Sequence, residues 1–305
     1  MSEIIFLSIL SGAIFSGTPL LYATLSEVIG ERAGIINLGL EGIMLIGAVF
    51  GFVATVQSGN PVVGVIAAAL AGALFNMIFA FIVISRRANQ LASGLALMFC
   101  GVGLSALVGA SFIGRRIEGL SEIRIPLFSD IPFFGRVFFH YDILVYLVVP
   151  AAVAVWWFLF RTRWGLSLRA VGENPTAAYA AGKNPHVLQY QALFIAGLLG
   201  GIAGAHLSLG LAHTWAEWMT AGRGFFSVAL VIFAKWHPLR AIAGALLFGG
   251  AISLQLQLQA RGVPVSSFIL DMLPYVLSLA VVAVWSGARR SAVPGSLGRV
   301  FQGTE

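Results

Sequence analysis

The sequence is poor in charge and in cysteine. Of its 305 residues only 10% are charged, whereas 59% are hydrophobic, and the mean hydropathy is +0.93. Soluble globular domains carry about 25% charged residues, so the composition excludes a soluble domain and predicts a polytopic membrane protein. The single cysteine, Cys100, lies inside an apolar run, which excludes a disulfide framework and a thiolate metal cluster.

The sequence also lacks motifs for catalysis, metal binding and nucleotide binding. Its five histidines are scattered without metal-ligand spacing, no Ser/His/Asp order is compelling, and no Gly-x-x-x-x-Gly-Lys-Ser/Thr phosphate loop occurs. We therefore expect no enzyme and no cofactor in this chain, and any ATP and Mg²⁺ would bind on a partner subunit. The formal net charge is +6, but the basic residues lie in short loops instead of one patch, which argues against a nucleic-acid partner.

Long apolar runs make up most of the chain. Eight can cross roughly 30 Å of hydrocarbon, and they occupy residues 4–26, 35–56, 61–85, 91–113, 142–160, 188–212, 239–257 and 266–286. A ninth run, 224–235, is short, so it predicts either a tilted, packed helix or a broken re-entrant one. The expected fold class is all-α: one transmembrane domain, 1–305, with eight to nine transmembrane helices.

The loop charges predict the topology, because cytoplasmic loops carry an excess of Lys and Arg. The basic positions are Arg86 with Arg87, the 161–187 segment, Lys235 with Arg240, and Arg289, Arg290 and Arg299. The 114–141 loop is nearly balanced in charge and is expected outside. These assignments agree only if 224–235 crosses, which predicts nine crossings, an outer N-terminus and a cytoplasmic tail at 287–305.

A weak internal repeat relates the two ends of the chain. A shift of 177 residues aligns Pro61 with Pro238 at the start of two similar apolar helices, each preceded by a glycine-rich element. The predicted halves are 4–113 and 188–286, separated by an outer loop and linker span (114–160) and by the polar segment 161–187. Because one linker span separates two four-span halves, we expect inverted repeats with a broken or short helix in each.

Five polar side chains in or next to the apolar runs are candidates for a solute path. Asn37 and Glu41 are four residues apart and would share a helical face, as would Gln255 and Gln259, and Asn76 occupies the corresponding span of the first half. A buried carboxylate is costly, so Glu41 is expected to be functional or paired, or to orient its helix near the interface. The amides suit a path for a neutral, hydrogen-bonding solute; hydrogen bonding between helices is the equal alternative for each.

The polar segment 161–187 predicts a short helix outside the membrane. Asn174 can act as its N-cap, Pro175 fits the first helical position, and Gly182 can end it. Ala177, Ala178 and Ala181, at three- and four-residue spacing, predict a face of methyl groups that buries little against its own chain and permits close approach by another protein. An ordinary connecting loop is the alternative.

Three segments together resemble a known family. They are GERAGIINLGLEGIMLIGA at 30–48, RAVGENPTAAYAAGKNP at 169–185 and GRGFFSVALVIFAKWHPLRAIAGALLFGG at 222–250. They resemble the permease subunits of ABC importers in the branched-chain amino acid/simple sugar permease family, and within it the nucleoside-type permeases. The likeness covers most of the chain in order.

The resemblance implies partners and residue roles. It implies a heterodimer with a second homologous permease, cytoplasmic ABC ATPases and an extracytoplasmic solute-binding lipoprotein, in the lipid bilayer of a prokaryotic inner membrane. The polar segment would be the coupling helix that enters a groove on the ATPase, and its coupling residues would be Arg169, Glu173, Asn174, Pro175, Ala177, Ala178 and Gly182. The implied solute is a nucleoside, with simple sugars left open.

Two other functions compete with this one. An ion-coupled secondary transporter of a small polar metabolite would need paired carboxylates in the membrane, and the apolar runs offer only Glu41 and Asp271. A structural subunit without a transport path is the third interpretation.

Overall fold

A computed structural model of the protein describes residues 2–124, 126, 134–262, 265–285 and 293–299, and this part is mostly helical. Helices α1 to α13 are, in chain order, Ser2–Arg32, Leu40–Ser58, Pro61–Ala80, Gln90–Gly109, Phe134–Phe138, Ile143–Arg161, Arg163–Glu173, Pro175–Ala180, Pro185–Ala205, Arg223–Ala234, Pro238–Ala260, Ser267–Asp271 and Leu273–Trp285. π-helical turns extend α3 over Phe81–Ser85 and α9 over His206–Leu211, and a 3₁₀ turn, Ala110–Phe112, extends α4. Strands β1 (Ile123–Arg124) and β2 (His140–Tyr141) pair antiparallel.

Seven of the described helices are long and apolar enough to cross a membrane, namely α1, α2, α3, α4, α6, α9 and α11. The predicted all-α class of a polytopic membrane protein is therefore confirmed. The predicted 266–286 run forms two shorter helices, α12 and α13, and the 224–235 run forms the short α10. Of the predicted tail, Arg289 and Arg290 lie outside the described residues.

Asn-Pro pairs begin three of the helices. Asn60, Asn174 and Asn184 each accept a hydrogen bond from a backbone N–H in the first turn of α3, α8 and α9, and a proline follows each of them at the first helical position. The amide oxygen satisfies a donor that the helix leaves unpaired, and proline has no such donor to satisfy. These three boundaries are thus encoded locally.

Glycines allow the central helices to pack backbone against backbone. A Cβ atom at Gly204 of α9 would lie 1.9 Å from the carbonyl oxygen of Met44 in α2, and one at Gly72 of α3 would lie 2.6 Å from the carbonyl oxygen of Gly197 in α9. Small residues at such positions are how helices associate where lipid removes the hydrophobic drive. α2, α3 and α9 therefore form the tightly packed centre of the molecule.

The two proline-led helices, α3 and α11, each pack along another long helix. α3 packs along α9, and α11, which begins at the proline aligned with that of α3, packs along α1. Each proline-led helix thus contacts the first helix of the opposite half. This exchange interlocks the two halves in a single body.

α10 completes a crossing that starts as a non-helical stretch of bends and turns at 212–222. Before it, Thr214 bridges to Arg116, and the Trp215 ring packs on Gly109 at the end of α4. After it, the indole N–H of Trp236 donates to Glu31 at the end of α1, at the opposite end of the bundle. Residues 212–234 therefore traverse the bundle as a broken crossing, the arrangement that the predicted nine-crossing topology requires. The end with Glu31 and Trp236 is called the inner end, because loop charges predict it to be cytoplasmic.

Candidate functional site

The polar segment between α6 and α9 forms two helices, α7 and α8. Asn174 separates them, and its amide oxygen accepts the N–H of Ala177 at 3.0 Å, while Gly182 takes a left-handed φ of +77° after the last turn. Pro175 occupies the first position of α8. The predicted start and end of the short helix are confirmed.

The methyl face predicted for α8 is divided between two environments. Ala178 is 5% exposed and packs against its own chain, whereas Ala177 is exposed and Tyr179 is 48% exposed. The expectation that the whole face buries little against its own chain is wrong for Ala178, because α7 and α9 lie on both sides of this two-turn helix. The exposed surface of this helix is formed by Thr176, Ala177, Tyr179, Ala180 and the following Ala181.

Arg169 and Glu173 of α7 make contacts within the chain. Arg169 Nε donates to the carbonyl of Leu159 at 3.1 Å, and its guanidinium lies 4.8 Å from the centre of the Phe160 ring. Glu173 Oε2 accepts the N–H of Gly295 at 3.1 Å. Both residues thus hold α7 in place instead of pointing freely toward a partner.

The segment 293–299 packs against the C-terminal end of α7. The Ser296 N–H and hydroxyl both donate to the carbonyl of Gly172, at 2.9 and 2.6 Å. Farther along, the Gly298 N–H donates to the carbonyl of Gly34, and the Gln90 amide donates to that of Arg299. The segment therefore connects the end of α7 to the loop between α1 and α2.

A group of side chains at the inner end joins α7 to α1 and α10. We call Glu31, Arg32, Phe160, Trp236 and His237 the inner cluster. The Arg32 guanidinium lies 5.5 Å from the Phe160 ring centre, on which Arg169 also packs, and Arg32 Nε donates to the carbonyl of Trp236 at 3.1 Å. Trp236 Nε1 donates to Glu31 at 2.5 Å. A displacement of α7 would therefore reach both α1 and the end of α10.

His237 in the inner cluster favours its neutral form. Desolvation lowers its pKa below the ordinary value, and the nearby positive charges of Arg240 and Arg32 lower it further. Its ring centre lies 5.3 Å from that of Phe160. A neutral His237 imidazole is not repelled by Arg32 and Arg169, whose guanidinium groups lie over the same Phe160 ring.

Glu41 binds the start of α10. The carboxylate is fully buried; Oε1 accepts the Thr220 hydroxyl at 2.5 Å and the Gly222 N–H at 2.7 Å, and Oε2 accepts the Gly224 N–H at 2.6 Å. An anion at a helix N-terminus satisfies unpaired donors and opposes the helix dipole. Of the three roles predicted for Glu41, the structure shows a paired one, and the partners are the Thr220 hydroxyl and two backbone N–H groups.

The structure separates the other predicted path residues into two groups. Asn37 precedes α2 in a non-helical stretch, so it does not share a helical face with Glu41; its amide donates to Asn76 at 2.9 Å, and Asn76 donates to the carbonyl of Leu193 at 2.6 Å. Asn37 and Asn76 thus hydrogen-bond α3 to its neighbours. Gln255 of α11 lines a cavity beside α10, and Gln259 lies one turn farther along the same helix.

Sequence reasoning missed two carboxylates, Glu27 and Glu31. α1 continues to Arg32, six residues beyond the predicted end of the first run at residue 26, and both side chains are 3% exposed. Glu27 accepts the backbone N–H of Asn37, and Glu31 accepts the Trp236 indole. Their four-residue spacing on one helical face was the signal that could have revealed them. The prediction that the apolar segments offer only Glu41 and Asp271 as carboxylates for ion coupling is therefore wrong. The side chain of Asp271 lies outside the described part of the chain.

Comparison with known proteins places the chain in a family. The family model for the permease component of branched-chain amino acid transport systems matches residues 9–284. TsgC13 of Haloferax volcanii, whose name gives glucose as its solute, is 36% identical over 95% of both chains. The nucleoside ABC transporter permease protein NupC of Lactococcus lactis is 35% identical, and the guanosine ABC transporter permease protein NupQ of Bacillus subtilis is 33% identical, each over 92% of both chains. The chain therefore belongs to this permease-component family and is a membrane-spanning permease subunit of an ABC transporter.

Proposed function

We propose that this permease, paired with a second homologous permease, forms the path by which an ATP-driven importer takes up a nucleoside. The observation that carries the proposal is α8, a capped two-turn helix on which Ala177 and Tyr179 are exposed. A cytoplasmic ABC ATPase would bind ATP and Mg²⁺ and receive α8 in a groove. An extracytoplasmic binding lipoprotein would deliver the solute at the outer end, and the C-terminus would be cytoplasmic.

The inner cluster supplies a route for mechanical coupling. Motion of α8 moves α7, and α7 carries Arg169 against Phe160, which in turn contacts Arg32. Arg32 and Glu31 hold the Trp236 backbone and indole at the end of α10. Closure of an ATPase pair would therefore shift a helix whose other end lies at Glu41, deep in the bundle.

A nucleoside is the proposed solute for two reasons. NupC and NupQ, at 35% and 33% identity, carry nucleoside and guanosine in their names. The Gln255 amide and the aromatic residues Phe226 and Tyr275 beside α10 suit a flat, neutral molecule with several hydrogen-bonding groups. TsgC13 makes glucose the competing solute.

The decisive experiment is uptake by the complex rebuilt from this permease, its ATPase, a second permease and the binding lipoprotein in lipid vesicles. Labelled guanosine should accumulate only with ATP, and excess unlabelled glucose should not compete. Accumulation that is driven by a proton gradient without ATP would support the ion-coupled alternative, which the buried pair Glu27 and Glu31 favours. Glucose uptake without guanosine uptake would contradict the nucleoside assignment.

A further inference from the structure

A cavity of about 330 Å³ lies at the start of α10, between α10, α11 and α13. Its polar and aromatic lining includes Arg223, Phe226, Gln255 and Tyr275. α10 has 12 residues between this cavity and the inner end, so at 1.5 Å per residue the cavity lies roughly 18 Å from that end. Its volume is within the range of about 300–1,000 Å³ for small-molecule sites.

Arg223, which lines this cavity, carries a buried hydrogen-bond donor that lacks a partner in the described part of the chain. Its Nη1 donates to the carbonyls of Met219 and Thr220, at 3.2 and 3.1 Å, which fixes the direction of the side chain. Its Nε is buried and has no hydrogen-bond partner in the described part of the chain. A buried unpaired donor is costly, so a bound molecule with an acceptor would remove this cost.

The charge at the cavity is balanced. Gly222 and Gly224, the neighbours of Arg223, both donate to the Glu41 carboxylate. The negative charge of Glu41 therefore balances the positive charge of Arg223 and the positive end of the α10 dipole. A site with compensated charge favours an uncharged polar solute over an anion.

The aromatic lining favours a flat ring. Phe226 and Tyr275 pack edge to face with ring centres 4.7 Å apart, and the Tyr275 hydroxyl donates to the carbonyl of Ala221 at 3.4 Å. Tyr275 is 50% exposed, so part of its ring is open for stacking. Gln255, on the α11 side, adds an amide that can pair with both donors and acceptors.

From these contacts we infer that the cavity is the solute-binding site of the permease and that it holds a neutral nucleoside by its base. The base lies against Tyr275, accepts a hydrogen bond from Arg223 and pairs with Gln255. The inference rests on the proposed function. It adds a site beside Glu41, which itself does not touch the solute but holds the start of α10 in position.

Cysteine protection tests the site directly in the assembled transporter. In a Cys100→Ser background, Gln255→Cys places a thiol in the cavity, and Gln259→Cys places one a helical turn farther along α11 as the matched control. Guanosine should slow the reaction of the Gln255→Cys thiol with a small charged thiol reagent several-fold and leave that of Gln259→Cys unchanged. Glucose should protect neither.

Two variants of the aromatic wall sharpen the result. Tyr275→Phe keeps the ring and should keep the protection, whereas Tyr275→Leu should lose most of it. If the unsubstituted complex transports guanosine but guanosine fails to protect Gln255→Cys, the site is wrong and the proposed function stands. If glucose alone protects, the base-binding assignment is wrong; if no guanosine transport occurs at all, the proposed function and the site are both overturned.

Discussion

At the scale of single residues, Glu41 determines where a short helix begins. Its carboxylate accepts one hydroxyl and two backbone N–H groups at the start of α10. In Glu41→Gln an amide NH₂ group replaces one carboxylate oxygen. This group is a hydrogen-bond donor and would face a backbone N–H, which is also a donor. We expect a loss of stability of about 2–3 kcal/mol, typical of a hydrogen bond to a charged group that is left unmade, seen as a lower melting temperature of the detergent-solubilised protein and as reduced uptake.

The matched control for that substitution is Glu217→Gln. Glu217 is an exposed carboxylate in the turn just before α10. It should change neither the melting temperature nor uptake measurably, because exposed charges contribute little to stability. Equal effects of the two substitutions would show that the position of Glu41 is unimportant.

At the scale of elements, α8 presents two adjacent alanines with opposite environments. Ala177 is exposed and Ala178 is buried. Ala177→Glu should leave the permease folded and assembled in the membrane but should uncouple ATP hydrolysis from uptake, because the bulky charge would lie between α8 and the ATPase. Ala178→Glu should instead lower the yield of folded permease, because an unpaired carboxylate would be buried.

Three measurements separate these two outcomes: the amount of monodisperse permease, the ATPase rate of the reconstituted complex and guanosine uptake. Full uptake by Ala177→Glu would contradict docking through α8. A normal yield of Ala178→Glu would contradict the burial of Ala178.

At the scale of the whole molecule, backbone contacts between the two halves set the stability. Gly204 of α9 lies against α2, and a Cβ there would come within 1.9 Å of a backbone oxygen that cannot move aside cheaply. Gly204→Ala should therefore destabilise the protein by about 1–3 kcal/mol or more through overpacking. Gly103 of α4 has open space around its Cβ position, so Gly103→Ala is the matched control and should be tolerated.

Heating the detergent-solubilised variants before size-exclusion chromatography compares them directly. The Gly204→Ala protein should aggregate at a lower temperature than the unsubstituted protein, and the Gly103→Ala protein should not. If both behave alike, close packing of α9 on α2 does not limit stability.

Local signals in the sequence predicted the helices well and the polar side chains poorly. The Asn-Pro starts of α3, α8 and α9 follow from capping chemistry within three residues. The end of α1 was predicted six residues early, because the charged residues Glu27 and Glu31 end the apolar run. Their partners, the Asn37 backbone and the Trp236 indole, are distant in sequence or lie in the next loop.

The sequence by itself determined the membrane-protein class, most of the crossing segments, the two-turn helix of the central loop and the family. Each of these depends on composition, on periodicity or on neighbours a few residues apart. Only the tertiary structure decided that α10 completes a broken crossing, that Glu41 binds its start, that Ala178 faces inward and that Arg223 borders a cavity with Gln255 and Tyr275. These features depend on which helices meet, and that is set by backbone approach at glycines and by hydrogen bonds between residues far apart in the chain, such as Glu41 and Gly224, which are 183 positions apart.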